Sequence, residues 1–284
     1  MTPSEANLST IHSPLTTLPD AVRLYVRYLG VSLRAQMQYR ASFVMNVLGH
    51  FLITCIEFFS MWALFDRFGS IRGWRLEEAA LFYGIVHLSF SLAEGGARGF
   101  DVFSGMVRTG DFDRYLLRPR STALQLAGQE LELRRLGRFL QALIVLVWAA
   151  WRLGLGWSAP RLALTGLTIF GSACLFYGLI VLQATLCFWT VESLEVVNCV
   201  TYGGTETAQY PLNIYRRTFR RFFTFIVPIA CTNYFPVVAI LGKPEPLGSP
   251  PWLGWVTPLV GVAFLLISFR IWRLGVRHYR STGS

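Results

Sequence analysis

Runs of about twenty apolar residues, separated by connections rich in arginine, constrain this chain more than any other feature. An α-helix rises about 1.5 Å per residue, so roughly 20 mainly apolar residues span the hydrocarbon core of a bilayer. Six such runs occur, over residues 41–65, 76–92, 139–157, 162–189, 222–241 and 253–272. The third holds Arg152, whose long stem can carry its charge to the surface. The fifth is broken by Pro228 and Pro236. The pattern predicts an all-α polytopic membrane protein with about six transmembrane helices. They form one unit over residues 21–284, with a long connection at 94–138. Residues 1–20 are rich in Ser, Thr and Pro, lack the basic start and apolar core of a signal peptide, and are expected to be a disordered tail.

Orientation follows from the connections. The arm before the first run holds Arg23, Arg27, Arg34 and Arg40, and the loop after the second holds Arg98, Arg108, Arg114, Arg118, Arg120, Arg134, Arg135 and Arg138. The loop after the fourth run holds Arg216, Arg217, Arg220 and Arg221, and the tail holds Arg270, Arg273, Arg277 and Arg280. The alternate connections hold only Arg67, Arg72, Arg75, Arg152, Arg161 and Lys243. The positive-inside rule therefore predicts both termini in the cytoplasm. Tryptophan agrees. Trp62, Trp74, Trp148, Trp151, Trp157, Trp252 and Trp255 fall near the predicted outer ends, and Trp189 and Trp272 near the inner ones, as aromatic belts would.

Charge and chemistry narrow the function. The formal net charge of +10 would suit nucleic acid, but the basic residues sit between apolar runs rather than on one face, so no nucleic-acid partner is expected. The sequence has no HExxH and no GxSxG. A P-loop needs a lysine after its glycines, and the single lysine, Lys243, precedes Pro244 instead. If ATP drives this chain, another polypeptide binds it. The five cysteines form no CxxC pair and read as small packing residues, with no metal site expected.

Three polar patterns stand out. Arg23, Arg27 and Arg34 share a helical face beside Val22, Val26, Leu29 and Leu33, which suits a helix lying at the membrane surface or a plain lead-in to the first span. Asn46, His50 and Glu57 share one face of the first run, and His87, Ser91, Glu94 and Arg98 one face of the second. An ionised acid at mid-bilayer costs on the order of 3 kcal/mol unless paired or wetted, so these faces should point into the bundle or at a partner subunit. They read as a polar pathway or proton relay, or as interhelical hydrogen bonds; Glu94 and Arg98 read as an exposed pair. In the loop, Phe100, Phe103, Met106 and Val107 form the apolar face of a short helix that Gly110 can cap, followed by Asp111, Asp113 and Arg114. Such a helix suits docking into a groove of a soluble partner, or packing on the membrane or its own bundle.

Three stretches carry a resemblance: GDFDRYLLRP at 110–119, YPLNIYRRTFRRFFTFIVPIACTNYFPVVAILGK at 210–243 and WRLGVRHYRSTGS at 272–284. Together they resemble the membrane permease subunits of type-2 ABC exporters. The resemblance implies a pair of permeases, two copies or this chain with a relative, each docked to a cytosolic ATPase that carries the ATP and Mg. No cofactor is expected on this chain. It implies a coupling helix at 100–109 seated in the ATPase, with Asp101, Arg108, Asp111, Asp113 and Arg114 about it. The amino-terminal amphipathic helix bearing Arg23, Arg27 and Arg34 becomes a connecting helix. Short re-entrant helices are implied between spans five and six, involving Pro228, Asn233, Tyr234 and Pro236. It places the chain in the inner (plasma) membrane, moving an amphiphile, a drug or a lipid-linked glycan outward. A different reading is a proton-coupled secondary transporter using His50, Glu57 and His87, although the halves show no inverted repeat. A membrane-anchored scaffold without transport is a third.

Overall fold

The computed structural model describes residues 18–190, 194–244, 248, 250 and 252–279. The predicted tail lies outside these apart from its last three residues, as do the last five residues of the terminal motif. Among the described residues there is no strand, only a lone bridge between Ile71 and Trp74. The long helices are α1 (Leu18–Gln36), joined by a 3-10 turn to α2 (Arg40–Phe68), and then α3 (Leu76–Gly96). Four short helices follow in the loop: α4 (Arg98–Asp101), α5 (Phe103–Arg108), α6 (Asp113–Leu116) and α7 (Thr122–Ala127). Then come α8 (Leu136–Arg152), α9 (Ala159–Leu186), α10 (Leu194–Ala208), α11 (Arg217–Arg221), α12 (Phe235–Leu241), α13 (Leu253–Val256) and α14 (Leu259–His278). Tyr25–Phe68, Ala159–Leu186 and Leu253–His278 are long and apolar enough to cross a membrane, and the bent pair Arg217–Ile226 and Ala230–Leu241 adds a fourth if it is one span.

The centre of the bundle is α3, buried at every residue from Glu78 to Ser91. Its neighbour α8 runs antiparallel to it: Arg138 bonds Glu94 at one end (3.2 Å) and Arg152 faces Glu77 at the other (3.7 Å). Tyr83 of α3 ties both flanking helices by donating to the Thr54 carbonyl (3.0 Å) and to Gln141 (3.3 Å). The parallel pair α9 and α14 approach through small residues. A Cβ on Gly261 would collide with the Gly171 carbonyl, and one on Gly178 or Gly275 would meet Phe264 or Phe188. Close backbone approach of this kind is how helices associate where the solvent is as apolar as their side chains.

The chain then departs from the expected fifth span. Tyr202 of α10 donates to Glu94 (3.1 Å), Gln209 bonds His87 (3.2 Å), and Asn213 accepts from the Trp74 indole (2.9 Å). These contacts move steadily from the α1 end of α3 to its opposite end. The segment Arg217–Ile226 then turns back, bends by 86° and returns as Ala230–Leu241. Pro228, which lacks an N–H, sits at the bend. On the way down Phe223 and Ile229 face Gly204. On the way up Asn233 donates to the Ala208 carbonyl (2.7 Å), Tyr234 stacks on Phe82, and Lys243 reaches Glu78 (2.7 Å) and the Trp74 ring. Residues 222–241 are therefore not one straight helix, and the segment begins and finishes at the Trp74 end.

Two expectations are corrected here. Arg216, Arg217, Arg220 and Arg221 do not share an end with the 94–138 loop, because Asn213 just before them bonds Trp74. The helix connecting the two ends at this point is α10. Its run of Thr, Glu and Asn hid it from hydropathy, yet its polar residues Thr201, Thr205 and Thr207, with Gln209 just beyond it, are buried against the bundle. Trp272 is likewise no belt residue: it is buried in an aromatic cluster with Phe100, Phe103, Phe112 and Phe188.

Candidate functional site

The arginine-rich loop folds as a compact cap on one end of the bundle. The predicted 100–109 helix is two short helices, α4 and α5, separated at Val102, and Gly110 follows in the left-handed region at φ 72°. Phe100, Phe103 and Val107 are buried and Met106 is half-buried. Phe103 sits within 5.2 Å, ring centre to ring centre, of Phe112, Phe188 and Trp272. The apolar face thus covers its own bundle and is not offered to a soluble partner. What remains outward on α5 is Gly105, Arg108 and Thr109. Beyond it come Arg114, Leu116, Leu117 and Arg118, with Leu117 85% exposed. Asp101 pairs with Arg98 (2.7 Å), and Asp111 accepts from Thr109 (2.7 Å) and faces Arg114 (3.7 Å). Asp113 is half-buried at the start of α6.

Ion pairs join this cap to the helices. Glu94, at the last turn of α3, takes Arg135 (2.6 Å), Arg138 (3.2 Å) and the Tyr202 hydroxyl. It is therefore a buried junction of three elements and not the exposed partner of Arg98. Glu132 takes Arg135 (3.0 Å) and Arg134, while its own N–H donates to the Gly95 carbonyl (3.1 Å). Burial alone would push the Glu132 carboxyl upward, but the Arg135 and Arg134 guanidinium groups outweigh it and hold it below its ordinary value of 4.5. A carboxylate so paired stays ionised and keeps both arginines in place.

The first helix is bound to the same cap. Gln36 bonds the Leu131 carbonyl and accepts from the Leu133 N–H (3.3 Å), Ser32 accepts from the Leu131 N–H (3.0 Å), and the Tyr28 ring covers Gly128. Arg23, Arg27 and Arg34 stay exposed on α1 beside exposed Val26 and Leu33. The cap is thus in contact with α1, with α3 through Glu94 and with α14 through Trp272. Ser32, Gln36, Phe112 and Leu117 escaped the sequence reading. Phe112 had a signal, since it lies inside the GDFDRYLLRP motif.

The polar residues of α2 and α3 do not form a chain. Asn46 is exposed and bonds Ser42 (3.4 Å), and His50 bonds the Asn46 carbonyl (3.0 Å). Ser91 turns back onto the Leu88 carbonyl (2.9 Å). His87 is buried, stacked 4.0 Å from Tyr83 and bonded to Gln209. Glu57 is half-buried, with one carboxylate oxygen sequestered without a hydrogen-bond donor. No hydrogen bond links His50, Glu57 and His87 to one another, so the predicted relay is not assembled. Pro228, Asn233, Tyr234 and Pro236 are all buried in the bent segment.

Comparison with known proteins supplies the family. The model of the ABC-2 family transporter protein matches residues 51–283, which include the cap, the bent segment and every long helix from within α2 onward. No curated protein and no solved structure matches the chain. With an all-helical fold of apolar helices and a match across most of its length, the chain is a membrane permease belonging to the ABC-2 transporter family.

Proposed function

We propose that this chain is the permease subunit of an ATP-driven exporter whose ATP and Mg are bound by a separate cytosolic ATPase. The observation that carries the reading is the cap: a charged, ion-paired platform tied to α1, α3, α8 and α14, with a short outward face on α5. Force applied to that face reaches four helices through Glu94, Glu132, Gln36 and Trp272. This is the arrangement an ATPase needs to drive a bundle that has no nucleotide site of its own.

In this reading α2, α3, α8, α9, α10 and α14 make six crossings, and 217–241 is a re-entrant hairpin on the outer side between the fifth and sixth. The α1 end is cytoplasmic. Arginine and lysine together still favour that end after the four on 216–221 are reassigned, by sixteen to ten. Exposed Arg23, Arg27 and Arg34 then lie at the level of inner-leaflet phosphates. A second permease, identical or related, pairs with this one, and the transported molecule is an amphiphile moved outward. The proton-coupled reading loses support because no hydrogen bond joins the three residues: His50 bonds the Asn46 carbonyl, His87 bonds Gln209, and a Glu57 oxygen is buried without a donor.

The docking face is tested at Gly105, where a Cβ meets nothing within 4 Å. Gly105→Trp should leave the chain folded and membrane-inserted, because the indole points into open space, yet prevent recovery of the ATPase with the permease. Undiminished ATPase recovery with Gly105→Trp would remove α5 from the contact.

A further inference from the structure

The reassigned arginines pose a question that the export reading leaves open. Arg216, Arg217, Arg220 and Arg221 fall within six residues. Three are exposed and Arg220 is half-buried. None has an ion-pair partner among the described residues, whereas Arg152 and Lys243 at the same end meet Glu77 and Glu78. Four guanidinium groups so close together repel one another. On the six-crossing topology proposed above they also stand on the outer side, where the positive-inside rule disfavours them. A bound anion would offset both penalties.

The surface next to them is apolar. Phe219 is exposed among the arginines, and at the bottom of the bend Phe225 and Ile226 are 79% and 67% exposed. From Arg217 to Ile226 the segment descends about 15 Å at helical rise, close to one leaflet of a hydrocarbon core roughly 30 Å thick. Basic groups at the top and bare phenylalanine and isoleucine below match a molecule with a phosphate head and an acyl tail. Guanidinium binds phosphate through paired N–H donors, and arginine stems let the charge ride upward to the head-group level. A second copy of this chain is a poor occupant, since a symmetric contact would bring four more arginines against these four.

We propose that Arg216, Arg217, Arg220 and Arg221, with Phe225 and Ile226 below them, bind the phosphate head and acyl chain of an anionic lipid in the outer leaflet. This rests on the topology proposed above. It makes the outer side of the re-entrant hairpin a lipid-binding element, either regulatory or the place where an exported phospho-amphiphile leaves.

The full chain, purified in neutral detergent and stripped of lipid, should retain phosphatidylglycerol in preference to phosphatidylcholine by native mass spectrometry. Arg220→Gln with Arg221→Gln should weaken that preference at least about tenfold, as loss of two charge-assisted contacts requires. The matching Lys pair should restore part of it and shows that the fold survives. Equal retention of the two lipids, or no change in the Gln pair, would overturn the proposal. So would displacement of the lipid by inorganic phosphate alone, which marks a soluble anion as the ligand. A Gln pair that alters pairing of two copies while leaving lipid retention intact would assign the patch to a second copy instead. The readout needs no ATPase, so its failure is separable from failure of the export reading, and the side of the membrane is read independently by labelling Thr218→Cys.

Discussion

At the scale of single residues, Phe100, Phe103 and Val107 turn their apolar face inward, onto the aromatic cluster around Trp272. The periodicity of Phe100, Phe103 and Val107 was legible, and the helix it implied is present in two pieces. Periodicity states that a face is buried but not against what, and here Trp272, 150 residues away in sequence from Thr122, closes the cage by donating to that threonine (3.2 Å). The consequence is testable. Phe103→Asp should place an unpartnered carboxylate among three aromatic rings and destabilise the bundle by about 4 kcal/mol or more, whereas Phe103→Leu should cost about 1 kcal/mol. Thermal unfolding in detergent checks this. An Asp variant as stable as the parent would mean that the face is free. The Glu94 junction was illegible for a related reason. Its partners Arg135, Arg138 and Tyr202 come from two other helices and the loop, and sequence spacing offered only the neighbour Arg98.

At the scale of elements, hydropathy picked out α2, α3, α8, α9 and α14, read as one run the segment that bends at Pro228, and passed over α10. The omission has a physical cause. A helix surrounded by other helices can be polar, because Thr hydroxyls bond their own backbone, as Thr205 does to Thr201 (3.0 Å) and Thr207 to Gly203 (2.7 Å). The bent pair Arg217–Ile226 and Ala230–Leu241 is apolar enough to pass for a span when read as one run. The prolines at 228 and 236 were the available sign of the bend. In a background freed of the native cysteines, Thr218→Cys should react with an impermeant maleimide in intact cells, and Ser104→Cys only after lysis. Labelling of Thr218→Cys confined to lysed cells would return α11 to the cytoplasmic side and remove the hairpin.

At the scale of the whole molecule, class and family were legible while the working parts were not. Apolar runs and an arginine bias pointed to a polytopic membrane protein, the stretches at 110–119, 210–243 and 272–284 resembled type-2 ABC permeases, and the match over residues 51–283 places the chain in the ABC-2 family. The coupling of α1, α3, α8 and α14 to one cap arises from contacts between residues far apart in sequence, such as Gln36 with Leu131 and Glu94 with Tyr202. The most direct test is affinity purification of the intact chain in mild detergent from its own host's membranes, with identification of what elutes beside it. A soluble P-loop ATPase is expected in stoichiometric amount. A stable, folded chain that elutes without any ATPase would contradict the export reading.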